Sequence, residues 1–325
     1  MAILTNIENI TDARAALPEY VRRTPIIAVA PTINDVGQEK LFVKAECLQI
    51  TGAYKVRAAF NVIRQLDRTQ RSRGIVLASS GNFSQAFAFV AKSIGIPVTI
   101  VMLESTSPYK VAATQALGAN IHFCGDASER QPTVEMLAQR HDMIPIDTWE
   151  DPNIIPGHAS IGLEILEDFP NVEQILVPIS SGGVASGIAT AVKLTSPRVR
   201  VIGVQPERAN AYYVSRDQNK PVTIDYWDSI ADGLSARNPG RFPFSHPQKY
   251  LDDVVLVKES DIAQTFRCLL FRTKLLVEPA GCVAPASFLY DVVDTTKVTV
   301  AVATGGNVTA DVAEKLLQLS APNTN

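Results

Sequence analysis

Several things are scarce in this chain, and each scarcity excludes something. Of 325 residues only four are cysteine, Cys47, Cys124, Cys268 and Cys282, with no Cys-x-x-Cys pair among them. A disulfide-stapled scaffold is excluded, and a reducing compartment is expected. No apolar run approaches the ~20 residues that cross a bilayer. The start, MAILTNIENITDARAALPEYVRRTP, has no basic segment followed by an apolar one, so the expected location is the cytoplasm. Charge of one sign is also missing: Lys+Arg of 30 against Asp+Glu of 33 gives a net charge of -3, with no basic block to neutralise a phosphate backbone. Nucleic acid is not an expected partner. The four histidines, His122, His141, His158 and His246, show no metal-ligand spacing, so no metal is expected and each reads as structural or surface. Neither G-x-G-x-x-G nor G-x-x-x-x-G-K-[ST] occurs, since Gly182-Gly183-Val184-Ala185-Ser186-Gly187 has the wrong spacing. Ser107-Pro-Tyr-Lys110 matches S-x-x-K but lacks the companion motifs of a serine hydrolase.

What the chain does have is the composition of an ordinary globular protein, 46% hydrophobic and 19% charged, at a length that fits two lobes. Short β-branched runs at 41–45, 74–78, 97–102, 120–123, 174–177, 200–204, 254–257 and 297–303 alternate with helical patterns at 54–66, 82–93, 108–117, 133–141, 161–169, 187–194, 259–272 and 280–289. That alternation predicts an α/β fold with mostly parallel sheets flanked by helices. Proline and acidic residues interrupt it at 149–156, a candidate boundary between lobes.

Four glycine-containing segments follow a strand or open a helix, where parallel sheets present ligands. In Ile179-Ser180-Ser181-Gly182-Gly183-Val184 the glycines and the following helix start form either a phosphate cradle or a plain turn. In Thr51-Gly52-Ala53-Tyr54-Lys55 a lysine sits in the first turn of a helix, where the dipole disfavours its charge; it is either a primed amine or a solvated surface residue. Ser79-Ser80-Gly81-Asn82-Phe83 offers hydroxyls and free N–H groups to a carboxylate, or merely caps a helix. Thr304-Gly305-Gly306-Asn307 presents a hydroxyl, or turns the chain.

Taken in order, these segments together with Glu278-Pro-Ala-Gly281 resemble the fold-type II pyridoxal-phosphate enzymes, in particular the serine/threonine dehydratase and serine racemase branch. Arg23-Thr24-Pro25, Gly157-His-Ala-Ser-Ile-Gly-Leu-Glu164 and Ala231-Asp-Gly-Leu234 extend the resemblance over nearly the whole chain. It implies a two-domain fold like that of the tryptophan synthase β chain. The larger, cofactor-binding domain would be made of 1–48 and 150–325, and the smaller one of 49–149. It also implies pyridoxal 5'-phosphate as cofactor, an amino-acid substrate and a homodimer.

By the same resemblance, Lys55 would bond covalently to the cofactor aldehyde and move the Cα proton. Ser180, Ser181, Gly182, Gly183 and Val184 would hold the phosphate, Asn82 the phenolic oxygen, and Thr304 the pyridine nitrogen. Glu278 would orient the cofactor or only cap the next helix. Ser79, Ser80 and Gly81 would seat the substrate carboxylate, with Phe83 beside it, and Ser80 would be the acid on the opposite face that a racemase needs. A neutral hydroxyl facing the ring nitrogen stabilises a pyridinium less than a carboxylate does, which favours β-elimination. The implied reaction is loss of the β-hydroxyl from a β-hydroxy amino acid, giving a 2-oxo acid and ammonia; racemisation, β-replacement and a non-catalytic cofactor-binding role are the alternatives. Two departures bear on this. Phe83 stands where histidine is common, making room for a side chain as large as that of phenylserine. Gln205 and Ala211 replace the two carboxylates of the branch's cation site, which is therefore expected to be weak or absent.

Overall fold

The computed structural model describes residues 4–30, 37 and 39–320. Two sheets organise it. Strands β1 (Ile26–Val29), β2 (Leu41–Lys44), β7 (Gln174–Pro178), β8 (Arg200–Pro206), β9 (Asp253–Val257) and β10 (Thr299–Val302) form a six-stranded sheet in the order β1-β2-β10-β7-β8-β9. Strands β3 (Ile75–Ala78), β4 (Val98–Leu103), β5 (Asn120–Cys124) and β6 (Ile144–Ile146) form a four-stranded one in the order β5-β4-β3-β6. Every pairing is parallel except β1 with β2. The central strands β7, β10 and most of β3 are buried along their length, as the apolar runs of a helix-covered parallel sheet require.

The sequence pattern places eight of these strands within a residue or two of their positions, except that β8 runs two residues further. It misses β1 and β6, both at a sheet edge. β6 carries Pro145 at its centre, which only an edge strand tolerates, because proline has no N–H for a second neighbour. The helix foreseen at 161–169 starts earlier, at Ile154. Pro156 falls in its first turn, where the missing N–H is not needed. The helices Ile7–Ala15, Arg68–Arg73, Ala211–Asp217, Arg241–Tyr250 and Ala310–Leu319 were not foreseen; three of them are short or interrupted by proline, which blurs the 3.6-residue period.

The helix Ile154–Asp168 packs between the helices Lys55–Arg64 and Gly183–Thr195 at distances that exclude side chains. A Cβ on Gly157 would lie 2.6 Å from the Ala58 Cα, and one on Gly187 would lie 2.7 Å from the Ala159 nitrogen. Buried charge fixes the same junction. The Arg57 guanidinium is fully buried. It donates through Nε and Nη2 to Glu46 at 2.9 and 2.8 Å, and through Nη1 and Nη2 to Glu164 at 2.7 and 2.9 Å. The Lys44 ammonium, also buried, stands 2.8 Å from Glu164. Two cations thus meet two anions, and the bidentate geometry supplies the hydrogen bonds that buried charges need. Burial alone would raise the Glu164 carboxyl, but Arg57 and Lys44 outweigh it and hold the group below its ordinary value.

Glu164→Gln leaves Arg57 and Lys44 undercompensated. A loss of about 3–5 kcal/mol is expected, read as a lower urea midpoint. A carboxyl held low in the fold contributes stability above its unfolded pKa and loses it as the pH falls through its folded one. The variant should therefore also lack part of the parent's acid transition. A midpoint unchanged at neutral pH would overturn the assignment.

Candidate active site

In a parallel sheet the ligand crevice lies beyond the carboxyl ends of the strands. Here those ends deliver the glycine segments to one cleft of ≈ 880 Å³: Ser79 and Gly81–Phe83 after β3, Ser180–Val184 after β7 and Thr304 after β10. The segment before Lys55 joins them by pairing with the last of these loops. Tyr54 N–H donates to the Thr304 carbonyl at 3.1 Å, Gly306 N–H to the Gly52 carbonyl at 2.8 Å, and Asn307 Nδ2 to the Thr51 carbonyl at 2.9 Å. This lacing fixes where the helix Lys55–Arg64 begins.

Lys55 is the first residue of that helix and its amine points into the cleft. Among the described residues the amine has no hydrogen-bond or ion-pair partner. It stands 4.1 Å from the centre of the Phe83 ring and 4.4 Å from that of Tyr54. Burial strips water from the ammonium and brings its pKa down to about 7, with the Glu278 carboxylate opposing the shift. Near neutral pH a large share of this lysine is therefore a free amine. The sequence alone could not choose between a primed and a solvated lysine; its surroundings make it the former.

Glu278 precedes the helix Pro279–Leu289 but its side chain does not cap it. Oε1 instead accepts from Asn82 Nδ2 at 2.8 Å, while Asn307 Nδ2 donates to Asn82 Oδ1, also at 2.8 Å. The Asn82 amide is thus locked between two partners, with one N–H left over. Burial, reinforced by Asp232, raises the Glu278 carboxyl to about 7 despite Asn82, Lys110 and Lys55. The Thr304 side chain is buried at the cleft wall.

The loop after β7 has the features of an anion cradle. Gly182 has φ +111°, a conformation that a side chain would strain. The first bond of the helix runs from Ser186 N–H to the Gly182 carbonyl at 2.8 Å. The N–H groups of Gly182, Gly183, Val184 and Ala185 find no acceptor among the described residues. Free donors and the positive end of a helix together favour an anion. The N–H groups of Asn82 and Phe83, at the start of the helix Asn82–Ile94, are free in the same way.

Not every residue singled out in the sequence reaches the cleft. Ser79, Gly81, Asn82 and Phe83 line it, but Ser80 does not. The Ser80 hydroxyl is turned aside, accepting from Thr106 Oγ1 at 2.9 Å and lying 3.4 Å from Arg130 Nη2 and from the Leu103 nitrogen. Gln205 is engaged at both ends of its amide, accepting from Tyr213 N–H at 2.7 Å and donating to the Ile179 carbonyl at 3.2 Å. Among the wall residues to which sequence reasoning assigned no role in the site are Arg130, which lies in no motif, and His158, which lies in the Gly157–Glu164 segment of the resemblance and reads in sequence only as structural or surface.

The family profile described as "Pyridoxal-phosphate dependent enzyme" matches residues 17–305. The L-threonine ammonia-lyase of Geobacter sulfurreducens is 38% identical over 301 residues, covering 92% of this chain and 75% of that protein. The L-threonine ammonia-lyase of Thermotoga maritima is 33% identical over 315 residues, covering 97% and 78%. Among solved structures, maize serine racemase superposes with a TM-score of 0.90 at 31% identity, covering 97% of this chain and 98% of that one. With a buried, unpartnered lysine and free backbone N–H groups at two helix starts around one cleft, and a family match over most of its length, this chain belongs to the pyridoxal-phosphate-dependent enzymes.

Proposed function

We propose that this chain is a lyase that removes the β-hydroxyl of a β-hydroxy amino acid of the serine/threonine type, giving a 2-oxo acid and ammonia. The observation that carries the reading is the Lys55 amine, which lines the cleft between the Phe83 and Tyr54 rings with no hydrogen-bond or ion-pair partner among the described residues, its pKa brought down to about 7 by burial. A general base is most effective when its pKa lies near the working pH. The likeness to L-threonine ammonia-lyases supports the same reading.

The residues present fit the cofactor. The free N–H groups of Gly182 to Ala185, with Ser180 and Ser181, would hold its phosphate; the Asn82 N–H left over would meet the phenolic oxygen; Thr304 would face the ring nitrogen; and Lys55 would bond to the aldehyde. Bound there, pyridoxal phosphate supplies the electron sink for the pair left at Cα when its proton departs. The free N–H groups of Asn82 and Phe83, with Ser79 and Gly81, seat the substrate carboxylate. Lys55 takes the Cα proton, the Cβ–O bond breaks, and the hydroxyl leaves as water with one proton gained, which the Lys55 ammonium gives up in returning to the free amine, so that the Cα proton ends in the water released. The released enamine hydrolyses to the 2-oxo acid and ammonia. Phe83 gives the substrate side chain an apolar wall, which suits a substituent larger than methyl, such as the aryl group of phenylserine.

Racemisation is the rival on the same scaffold, supported by the likeness to maize serine racemase. It needs an acid on the face opposite Lys55. The Ser80 hydroxyl, the candidate for that role, accepts from Thr106 Oγ1 and lies 3.4 Å from Nη2 of the wall residue Arg130, and Ser80 itself is not among the residues lining the cleft, which favours elimination.

Proton NMR in heavy water separates the two. With L-serine, L-threonine, 3-hydroxyaspartate or phenylserine, elimination yields oxo acid and ammonia, whereas exchange of the α-proton with the hydroxyl retained would establish the rival. Lys55→Ala should lower turnover by about 10³-fold or more; a variant that kept its activity would sink the assignment. Phe83→Ala should change the phenylserine-to-threonine ratio of kcat/KM about tenfold. Because the free amine is the form that captures the cofactor, the rate of capture by the cofactor-free enzyme should rise with pH through about 7. The Glu278 charge favours the ammonium, so Glu278→Gln should move that midpoint down. A midpoint near 10 in the parent would refute the poised amine.

A further inference from the structure

His158 is fully buried on the helix Ile154–Asp168, and neither ring nitrogen has a hydrogen-bond partner among the described residues. An unpaired buried polar group costs about 1–3 kcal/mol, and native structures keep few of them. The ring packs against Tyr54, centroids 4.6 Å apart, and near Phe83 at 6.0 Å. Its Cδ2 edge, which carries Nε2, lies 3.7 Å from where a Cβ on Gly183 would stand. The imidazole therefore abuts the first residue of the helix Gly183–Thr195, the turn whose own N–H groups lack acceptors. Two independent deficits, one on the backbone and one on the side chain, meet at one place, and a single anion would satisfy both.

We propose that His158 donates a hydrogen bond to the anion seated on the Gly182–Ala185 turn, making it a positioning residue for the cofactor phosphate. This rests on the reading that the phosphate sits on that turn. A neutral imidazole carries one N–H, and an anion can only accept it. The charged groups that face the ring are Lys55 and Arg57; with burial, both cations disfavour a second proton on it. Arg57 is already matched by Glu46 and Glu164. Tyr54 adds a phenol held well above its ordinary value by burial and by Glu278 and Glu46. The helix Gly183–Thr195 sets Gly183 beside the ring, Gly187 against Ile155 to Ala159 and Ala191 beside Ala159, none of them titratable, and Phe83 brings no titratable group.

The test uses the full-length protein labelled with ¹⁵N at its backbone amides and histidine rings. Its cofactor-free form is titrated with inorganic phosphate and then converted to the holoenzyme. Phosphate is expected to shift the amides of Gly182 to Ala185 and to move one His158 ring nitrogen to the chemical shift of a hydrogen-bonded donor, a pattern that persists in the holoenzyme. Amides that respond while both His158 nitrogens stay unchanged would overturn the proposal and leave the cradle standing. Amides that do not respond would overturn both. His158→Phe keeps the ring against Tyr54 but removes both nitrogens, and should weaken inorganic phosphate binding about tenfold. His158→Gln restores a donor and should recover most of that loss; equal weakening in the two variants would mean a packing role only.

Discussion

The Arg57 guanidinium, buried between Glu46 and Glu164, joins three parts of the chain that the sequence keeps far apart: the turn after β2, the helix that begins with Lys55, and the helix that carries His158. Four charged hydrogen bonds hold one planar group in one orientation, so the helix can neither slide nor rotate without breaking several at once. Lys55 lies two residues before Arg57. Its position in the cleft is therefore fixed from below by charge and from above by the backbone lacing of 51–54 to 304–307. The carboxylate that acts on the amine is Glu278, outside the clamp; it favours the ammonium, and burial outweighs it.

Around that fixed amine the cleft separates two kinds of recognition. Anions meet backbone N–H groups at two helix starts, Gly182 to Ala185 and Asn82 to Phe83, and these donors cannot be lost by side-chain substitution. Orientation falls to side chains held by other side chains: Asn82 between Glu278 and Asn307, and Phe83 and Tyr54 flanking Lys55. The backbone part serves any amino acid attached to the cofactor. Selectivity among substrates must come from the side-chain part, where Phe83 sits.

Much of this was legible in the sequence because it follows from local chemistry. Strand, glycine turn and helix start lie next to one another along the chain, so the segments at Lys55, Ser79, Gly182 and Thr304 announce themselves. The eight strands that were read correctly are apolar enough to mark a buried sheet. What stayed hidden depends on residues far apart in sequence. That Ser80 turns toward Thr106 and Arg130, that Glu278 reaches Asn82 rather than capping its own helix, and that His158 faces the turn at Gly183 are results of packing between residues 25 to 196 apart in sequence. The edge strands β1 and β6 were missed for a different reason: strands of three or four residues, one with a central proline, are too short to show a period.

The order of strands in the larger sheet carries one more consequence, in the time domain. β10, the last strand among the described residues, lies between β2 and β7 and pairs with both. As the chain emerges from a ribosome, β3 to β6 can assemble their sheet before β7 to β10 have emerged, because all four are contiguous in the chain. The larger sheet has no such freedom: β2 has only β1 beside it until residue 302 has been added, and Thr304 and the lacing to 51–54 come later still. The cofactor site therefore closes only once Thr304 and the residues that lace it to 51–54 have been made, and a nascent chain cannot hold pyridoxal phosphate in its finished geometry before then.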